Sequence, residues 1–312
     1  MARQQGAQSQ LAVAFESNYG VSPASGFSRM PFASTTIGAA QPLLANELLG
    51  YGRDPLAPQR DAITVDGEIV VPIDVNSFGF WLKGAFGNPA SSGTGTVQHV
   101  FTSGAEVLPS LSIEVQQPRV PYFAMSKGAM VNMLSWTMQR SGLLTARVGL
   151  IAQDEISGEA SAAGTLEDIE IKRFGHFNGS IRRNGAVLGN VVSAEITYSN
   201  NLDPVEVIRG DGLIGGADPS IAQLSGRITV RFDNRILMDQ ARDGEPCAFE
   251  FGYELTTGES LTVSVPAAHL PRAKAPVEGP AGVQVSFDWQ ASQTLGGDPM
   301  IQVRLVNERV SY

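Results

Sequence analysis

The stretch Gly67-Glu-Ile-Val-Val-Pro-Ile-Asp74 returns 159 positions later (Asp74 to Asp233) as Gly226-Arg-Ile-Thr-Val-Arg-Phe-Asp233. Ile69, Val71 and Ile73 take every second position in the first copy, and Ile228, Val230 and Phe232 do so in the second. Side chains alternate across a strand, so a period of two describes a strand with one buried face. Each run ends on Asp, whose carboxylate can accept a bond from an orphaned N–H where a helix begins. After Asp74, Val75, Phe78, Leu82 and Phe86 recur at helical spacing until Gly87, Asn88 and Pro89 stop the run. After Asp233, Ile236, Leu237 and Ala241 recur in the same way before Gly244 and Pro246. A strand leading through Asp into a short helix is encoded twice.

Working outward, the offset of 159 holds upstream without a gap, setting Glu47-Leu-Leu49 over Glu206-Val-Ile208. Downstream it becomes 150, where Ser110-Leu-Ser-Ile-Glu-Val115 lies over Ser260-Leu-Thr-Val-Ser-Val265, after an extra loop at 88–95 in the first copy. It becomes 153 where Met130, Leu134, Trp136 and Met138 match Val283, Phe287, Trp289 and Ala291. Thr145–Ile151 over Met300–Val306 gives 155. Offsets that change only in loops are the mark of a duplication that diverged. Each copy reads as antiparallel strands with one helix inserted. The boundaries are an amino-terminal arm at 1–26, a first unit at 27–153, a connector at 154–169 and a second unit at 170–312. The connector is rich in Ser, Ala, Gly and acidic residues and reads as flexible and solvated.

In 312 residues, 34 Gly and 18 Pro are scattered as turn punctuation, which suits many short strands. The net charge is −9. Residues 1–155 hold 11 acidic and 9 basic side chains, which leaves 20 and 13 for the rest, so most of the excess lies in the second copy. A chain that grips phosphate backbones carries the opposite sign; an acidic wall is compatible with DNA sliding past it, and a charge of −9 equally serves to keep a chain of this size soluble. The single Cys247 excludes an internal disulfide. The amino terminus is polar, without the apolar core of a signal peptide, and no run approaches the ~20 apolar residues of a membrane helix. Synthesis in a reducing cytoplasm is the expectation.

No catalytic, cofactor or metal site is expected. His99, His176 and His269 have no second ligand nearby at metal spacing. Cys247 opens an apolar run, as a buried small hydrophobe does. Asp243, Glu245, Glu250 and Glu254 could be drawn as a glycosidase pair, but they read as solvated surface. Gly93-Thr-Gly-Thr96 lacks the rest of a nucleotide loop. Trp136 and Trp289 fall on the apolar face of the same repeated strand, so packing accounts for both.

The sequence resembles the tail tube (major tail) proteins of siphophages, in the class with tandem tube domains. The resemblance rests on the arm Phe15-Glu-Ser-Asn-Tyr-Gly-Val-Ser-Pro23, the strand and helix of Gly67–Phe86, Leu108-Pro-Ser-Leu-Ser-Ile-Glu-Val115 and Met133-Leu-Ser-Trp-Thr-Met138. It implies a mainly β fold of two tube-like β-sandwiches, each with a flanking helix, whose sheets join those of neighbours into a β-barrel ring. Six folds around the axis would be met by three chains per ring; a hexamer with one copy decorating the outside is the alternative. It also implies a place in the virion, DNA passing the lumen without specific binding, no membrane, and tail terminator, tape measure and distal tail proteins as partners. A terminator or baseplate hub shares the fold, and a carbohydrate-binding sandwich is the other alternative.

Stacking along the axis needs a second, head-to-tail contact. The candidates are two loops at equivalent places, Leu49-Gly-Tyr-Gly-Arg-Asp-Pro-Leu-Ala-Pro58 and Ile208-Arg-Gly-Asp-Gly-Leu-Ile-Gly-Gly-Ala217, together with the arm. The residues singled out are Phe15, Tyr19, Leu49, Tyr51, Leu56, Ile208, Leu213 and Ile214.

Overall fold

The computed structural model describes residues 3–277 and 279–312. The strands used below are β1 (Gln10–Phe15), β2 (Ser34–Thr35), β3 (Gly38–Ala40), β4 (Thr64–Pro72), β5 (Val97–Thr102), β6 (Leu111–Gln117), β7 (Tyr122–Gln139), β8 (Thr145–Ala152) and β9 (Asp154–Gly158). They continue as β10 (Gly179–Arg183), β11 (Val191–Ser199), β12 (Gln223–Arg231), β13 (Cys247–Glu254), β14 (Ser260–His269), β15 (Gln284–Ala291) and β16 (Gln302–Asn307). Two helices interrupt them, α1 (Phe78–Phe86) after β4 and α2 (Ile236–Asp243) after β12. The mainly β class and the two strand-to-helix junctions stand as the sequence predicts. The two decisive strands occupy the same positions at the offset of 159, Thr64–Pro72 and Gln223–Arg231.

One antiparallel sheet crosses both copies in the order β2/β3, β4, β8, β7, β11, β12, β15. A second runs β5, β16, β14, β13, β10. The first half of β7 also pairs with β6 and β9, and β1 extends that third sheet beyond β6. The first two sheets form a β-sandwich around a shared core. Trp289 on β15 meets Phe249 and Phe251 of β13, each at 6.1 Å between ring centroids. Its counterpart Trp136 meets Phe78 of α1 edge-on at 6.4 Å.

The helices take different places. In α1 every residue but Lys83 is buried, whereas only Leu237 and Ala241 of α2 are. A helix apolar all round must be enclosed, while one with a narrow apolar stripe lies on the surface. The Asp74 carboxylate does organise the entry to α1, accepting the N–H groups of Asn76 and Ser77 at 2.7 Å each and the Ser77 hydroxyl. Burial pushes its carboxyl up, against the pull of those bonds and of Arg173. In the second copy the capping role moves by one residue: Asn234 Oδ1 accepts the Ile236 N–H at 3.1 Å.

Two features depart from the sequence reading. Residues 154–168 are not a loose connector. β9 pairs with Phe123–Lys127, and Glu167–Asp168 pairs in parallel with Ser28–Arg29. The buried Glu114 accepts the Ala162 N–H at 2.7 Å and the Ser161 hydroxyl at 2.6 Å, which fixes the turn between them. Strand pairing uses backbone groups, so a polar composition does not prevent it. Second, the pairing is not fully duplicated. β8 sits between β4 and β7, but its counterpart β16 leaves the first sheet and pairs with β14 and with β5 of the first copy.

Asn200 also ties the copies together. Its buried side chain donates to Ala85 O at the end of α1 (3.0 Å) and to Val131 O at a bulge in β7 (2.8 Å), and it accepts from the Tyr198 hydroxyl (3.0 Å). Helix ends and bulges leave carbonyls without ladder partners. Asn200→Ala orphans both, and chemical denaturation is expected to show a loss of roughly 2–4 kcal/mol.

Candidate self-assembly interface

The strands of the first sheet are antiparallel, so their connections gather at two opposite ends. At one end the chain enters β4 and β12, and both candidate loops project there. The first is closed by a small ladder of Leu43–Leu44 on Gln59–Arg60, the second by Asp203–Pro204 on Ala217–Asp218. The loops touch: the Ile63 N–H donates to Gly212 O at 3.1 Å. Each is braced from within. Asn46 accepts the Leu48 N–H at 3.1 Å, and Arg209 pairs with Asp211 at 2.6 Å while donating to Ile214 O at 3.2 Å. That ion pair holds the Asp211 carboxyl below its ordinary range.

The tips are apolar and bare. Leu49 is 93% exposed and Ile208 108%, with Leu43, Leu44, Leu48, Tyr51, Leu56 and Val207 also exposed. Leu213 and Ile214 are half-buried lower down. Tyr19 lies at the base of the second loop, with Leu108, Met130, Leu202 and Ala217. Burial, and then the Glu16 charge, push its phenol up to about 12. Phe15 is elsewhere: it stacks on Phe80 at 5.8 Å, beneath the Lys83 ammonium at 4.2 Å, and packs against its own subunit. The structure thus gathers seven of the eight residues at one end and separates Phe15 from them.

The opposite end carries features that the sequence reading missed. A groove there is lined by Met138, Phe177, Val187 and Val192 with Arg140 and Arg231, and among the described residues no carboxylate lines it. Phe177 is 88% exposed. The available signal was an aromatic between Gly175 and Gly179, a place where nothing local can cover it.

The faces of the first sheet differ sharply. Ala146, Val148, Leu134, Trp136, Ala194, Ile196, Ile228 and Phe287 point into the core. The other face carries the ion pairs Glu68–Arg147 (3.0 Å) and Arg227–Asp288 (2.5 Å), the Thr229–Ser286 hydroxyl bond (2.9 Å), and Asp66 and Glu195 outside any ion pair among the described residues. It is polar, and Arg231 shares the outward alternation of Arg227 and Thr229. Among the described residues no three His, Cys, Asp or Glu side chains gather as a metal site.

A sheet that spans two related units and exposes apolar side chains at both ends offers surface for copies of itself to cover. The sequence profile of a family described as phage tail tube protein matches residues 6–291. The chain belongs to that family. No curated protein matches it significantly. A tail tube protein is structural rather than enzymatic, assembles with its own copies and other tail proteins, and is part of the virion tail. No helix of this tail tube protein is long and apolar enough to cross a membrane, among the described residues.

Proposed function

We propose that this tail tube protein builds the shaft of a long, non-contractile tail, three chains to a ring, with 27–153 and 170–312 as its two tube units, 1–26 as an arm and 154–169 as the connector. The observation that carries the reading is the joint between β7 and β11, seven paired residues from Met133↔Ser199 to Gln139↔Ser193. It joins the sheet of one copy to that of the other inside a single chain. Joining such sheets side by side between chains gives a closed wall, and closure consumes the edges that would otherwise aggregate.

The polar face then lines the lumen. Its mixed charges, with Asp66 and Glu195 outside any ion pair among the described residues, form no basic track for the DNA backbone, so DNA passes without being held. Rings stack by inserting the apolar loop tips into the groove of the next ring. The second loop brings Asp203, Glu206, Asp211 and Asp218 against one Arg209, and the groove offers Arg140 and Arg231, so charge favours the head-to-tail contact. Terminator, tape measure and distal tail proteins meet the ends of the stack.

Negative-stain microscopy of the purified protein tests the reading, with long hollow filaments expected. Lone rings would instead identify a terminator or hub, and monomers alone would sink the assembly. Native mass spectrometry of one ring is expected to give three chains; six would overturn the pseudo-sixfold arrangement.

A further inference from the structure

We infer that the hairpin between β7 and β8, residues 140–144, docks in a cavity at the base of the second loop in the adjoining ring, with the Arg140 guanidinium between Glu106 and Asp218. This deepens the stacking reading and rests on it. It adds a contact that reaches back from the groove end of one ring to the loop end of the next.

The cavity, of about 530 Å³, lies beside the second loop, with Leu108, Met130 and Pro219 as its apolar part. Three carboxylates line it, and they are not alike. Glu16 is fully occupied within the subunit. It accepts the Gly20 and Gly128 N–H groups at 2.8 and 2.9 Å and the Ser110 and Ser112 hydroxyls at 2.7 Å each. Glu106 and Asp218 are exposed and have no side-chain partner among the described residues. Arg209, whose charge reaches Tyr19, is already held by Asp211 and by Ile214 O. Tyr19 supplies a second, independent sign. Its hydroxyl oxygen is buried in the cavity wall and has no hydrogen-bond partner among the described residues, whereas a buried hydroxyl ordinarily has one. Two free carboxylates, an unpartnered hydroxyl and an apolar floor suit a cation with several N–H donors on an apolar stem.

The hairpin carries such a side chain. Arg140 is exposed and has no carboxylate partner among the described residues. Leu143 beside it is 74% exposed, and Gly142 turns the chain at φ +110. The run Met130–Gln139 of β7 separates cavity from hairpin by roughly 30 Å at the rise of a strand, so a subunit cannot fill its own cavity. A second copy can.

The same junction brings the two together. Arg140 also lines the groove proposed to receive the loop tips. Ala217 and Asp218 line the cavity and also belong to the ladder that closes the second loop. When that loop fills the groove, the rim of the groove comes to rest against the base of the loop. The hairpin is that rim, and the cavity lies at that base. Charge then sets the polarity of the stack. Arg140 meets two carboxylates when rings follow head to tail, whereas a ring turned over would set Arg140 and Arg231 against the same two residues of its neighbour.

The test is a charge swap in the full-length protein. Arg140→Glu is expected to close rings with the same number of chains by native mass spectrometry, and to raise the concentration needed for filaments at least about tenfold. Glu106→Arg with Asp218→Arg is expected to show the same defect. A chain carrying all three substitutions restores opposite charges, and it is expected to elongate within about threefold of the ordinary concentration. Filaments from Arg140→Glu at the ordinary concentration, or no recovery in the triple variant, would overturn this contact while leaving the tail-tube reading intact. Unaltered protein offers a second readout if the variants do not fold. The amides of Ser141, Gly142 and Leu143 are expected to exchange at least about tenfold more slowly in filaments than in free subunits. Unchanged exchange in filaments overturns the docking, whereas failure of the unaltered protein to form filaments counts against the tail-tube reading itself.

Discussion

A chain carrying Leu49→Asp together with Ile208→Asp is expected to fold, to close its rings and to elongate no further. Both side chains are almost wholly exposed in the subunit, at 93% and 108%, so the fold loses nothing by their removal. Substitutions at such positions usually change stability by no more than about 0.5 kcal/mol. In the proposed stack the same side chains are expected to be buried between rings. Each aliphatic side chain then contributes about 1.5–3 kcal/mol, and a carboxylate in its place must be stripped of water without a cation designed for it. Both losses recur in every chain of the ring, so the penalty per junction is several times the single-site value. Circular dichroism and calorimetry should match the unaltered protein, while microscopy shows rings and no filaments. The conservative pair Leu49→Met and Ile208→Val should elongate normally. Tubes of ordinary length from the aspartate variant would remove these loops from the stacking contact.

The sequence disclosed these loops for a physical reason. Gly and Pro forbid regular structure there, and the apolar residues between them have no periodic face to fold onto. That the two loops touch through Ile63 and Gly212 has no such signature, because a backbone hydrogen bond leaves no mark on residue choice. The β7–β11 joint was hidden for the same reason. Strands Thr64–Pro72 and Gln223–Arg231 were legible because one face of each is buried and the period of two is kept. The enclosure of α1 was partly legible: Phe80 and Gly84 lie on the side opposite Phe78 and Leu82, and Lys83 is its one charged residue. The departure of β16 from the first sheet was not legible, since its alternation suits either sheet equally. Phe15 misled because an aromatic in a polar arm suggests docking, and the Phe80 ring that receives it lies 65 positions away (80 − 15 = 65).

The glycines of the repeated strand were legible as a repeat but not as a constraint, and they lead to the most severe single substitution expected here. A β-carbon on Gly226 would lie 2.1 Å from Glu195 O and 2.4 Å from Trp289 Cζ2. The first is backbone of β11, the second a buried ring held by Phe249 and Phe251, so neither can yield. Gly226→Ala must therefore part β12 from its neighbours in the middle of the sheet. A loss of at least about 3 kcal/mol follows from overpacking of this kind, together with the exposure of the Trp289 cluster. Calorimetry should show a transition far below that of the unaltered protein, or only aggregate. Gly67 is its counterpart, with φ +150 and a virtual β-carbon 2.5 Å from the backbone of Ile37. Here the obstacle is a short, exposed edge that can move aside. Gly67→Ala is therefore expected to give a folded subunit that melts within a few degrees of the unaltered protein. Equal losses of melting temperature from the two substitutions would show that the edge at Ile37 is held as firmly as the interior of the sheet at Glu195 and Trp289.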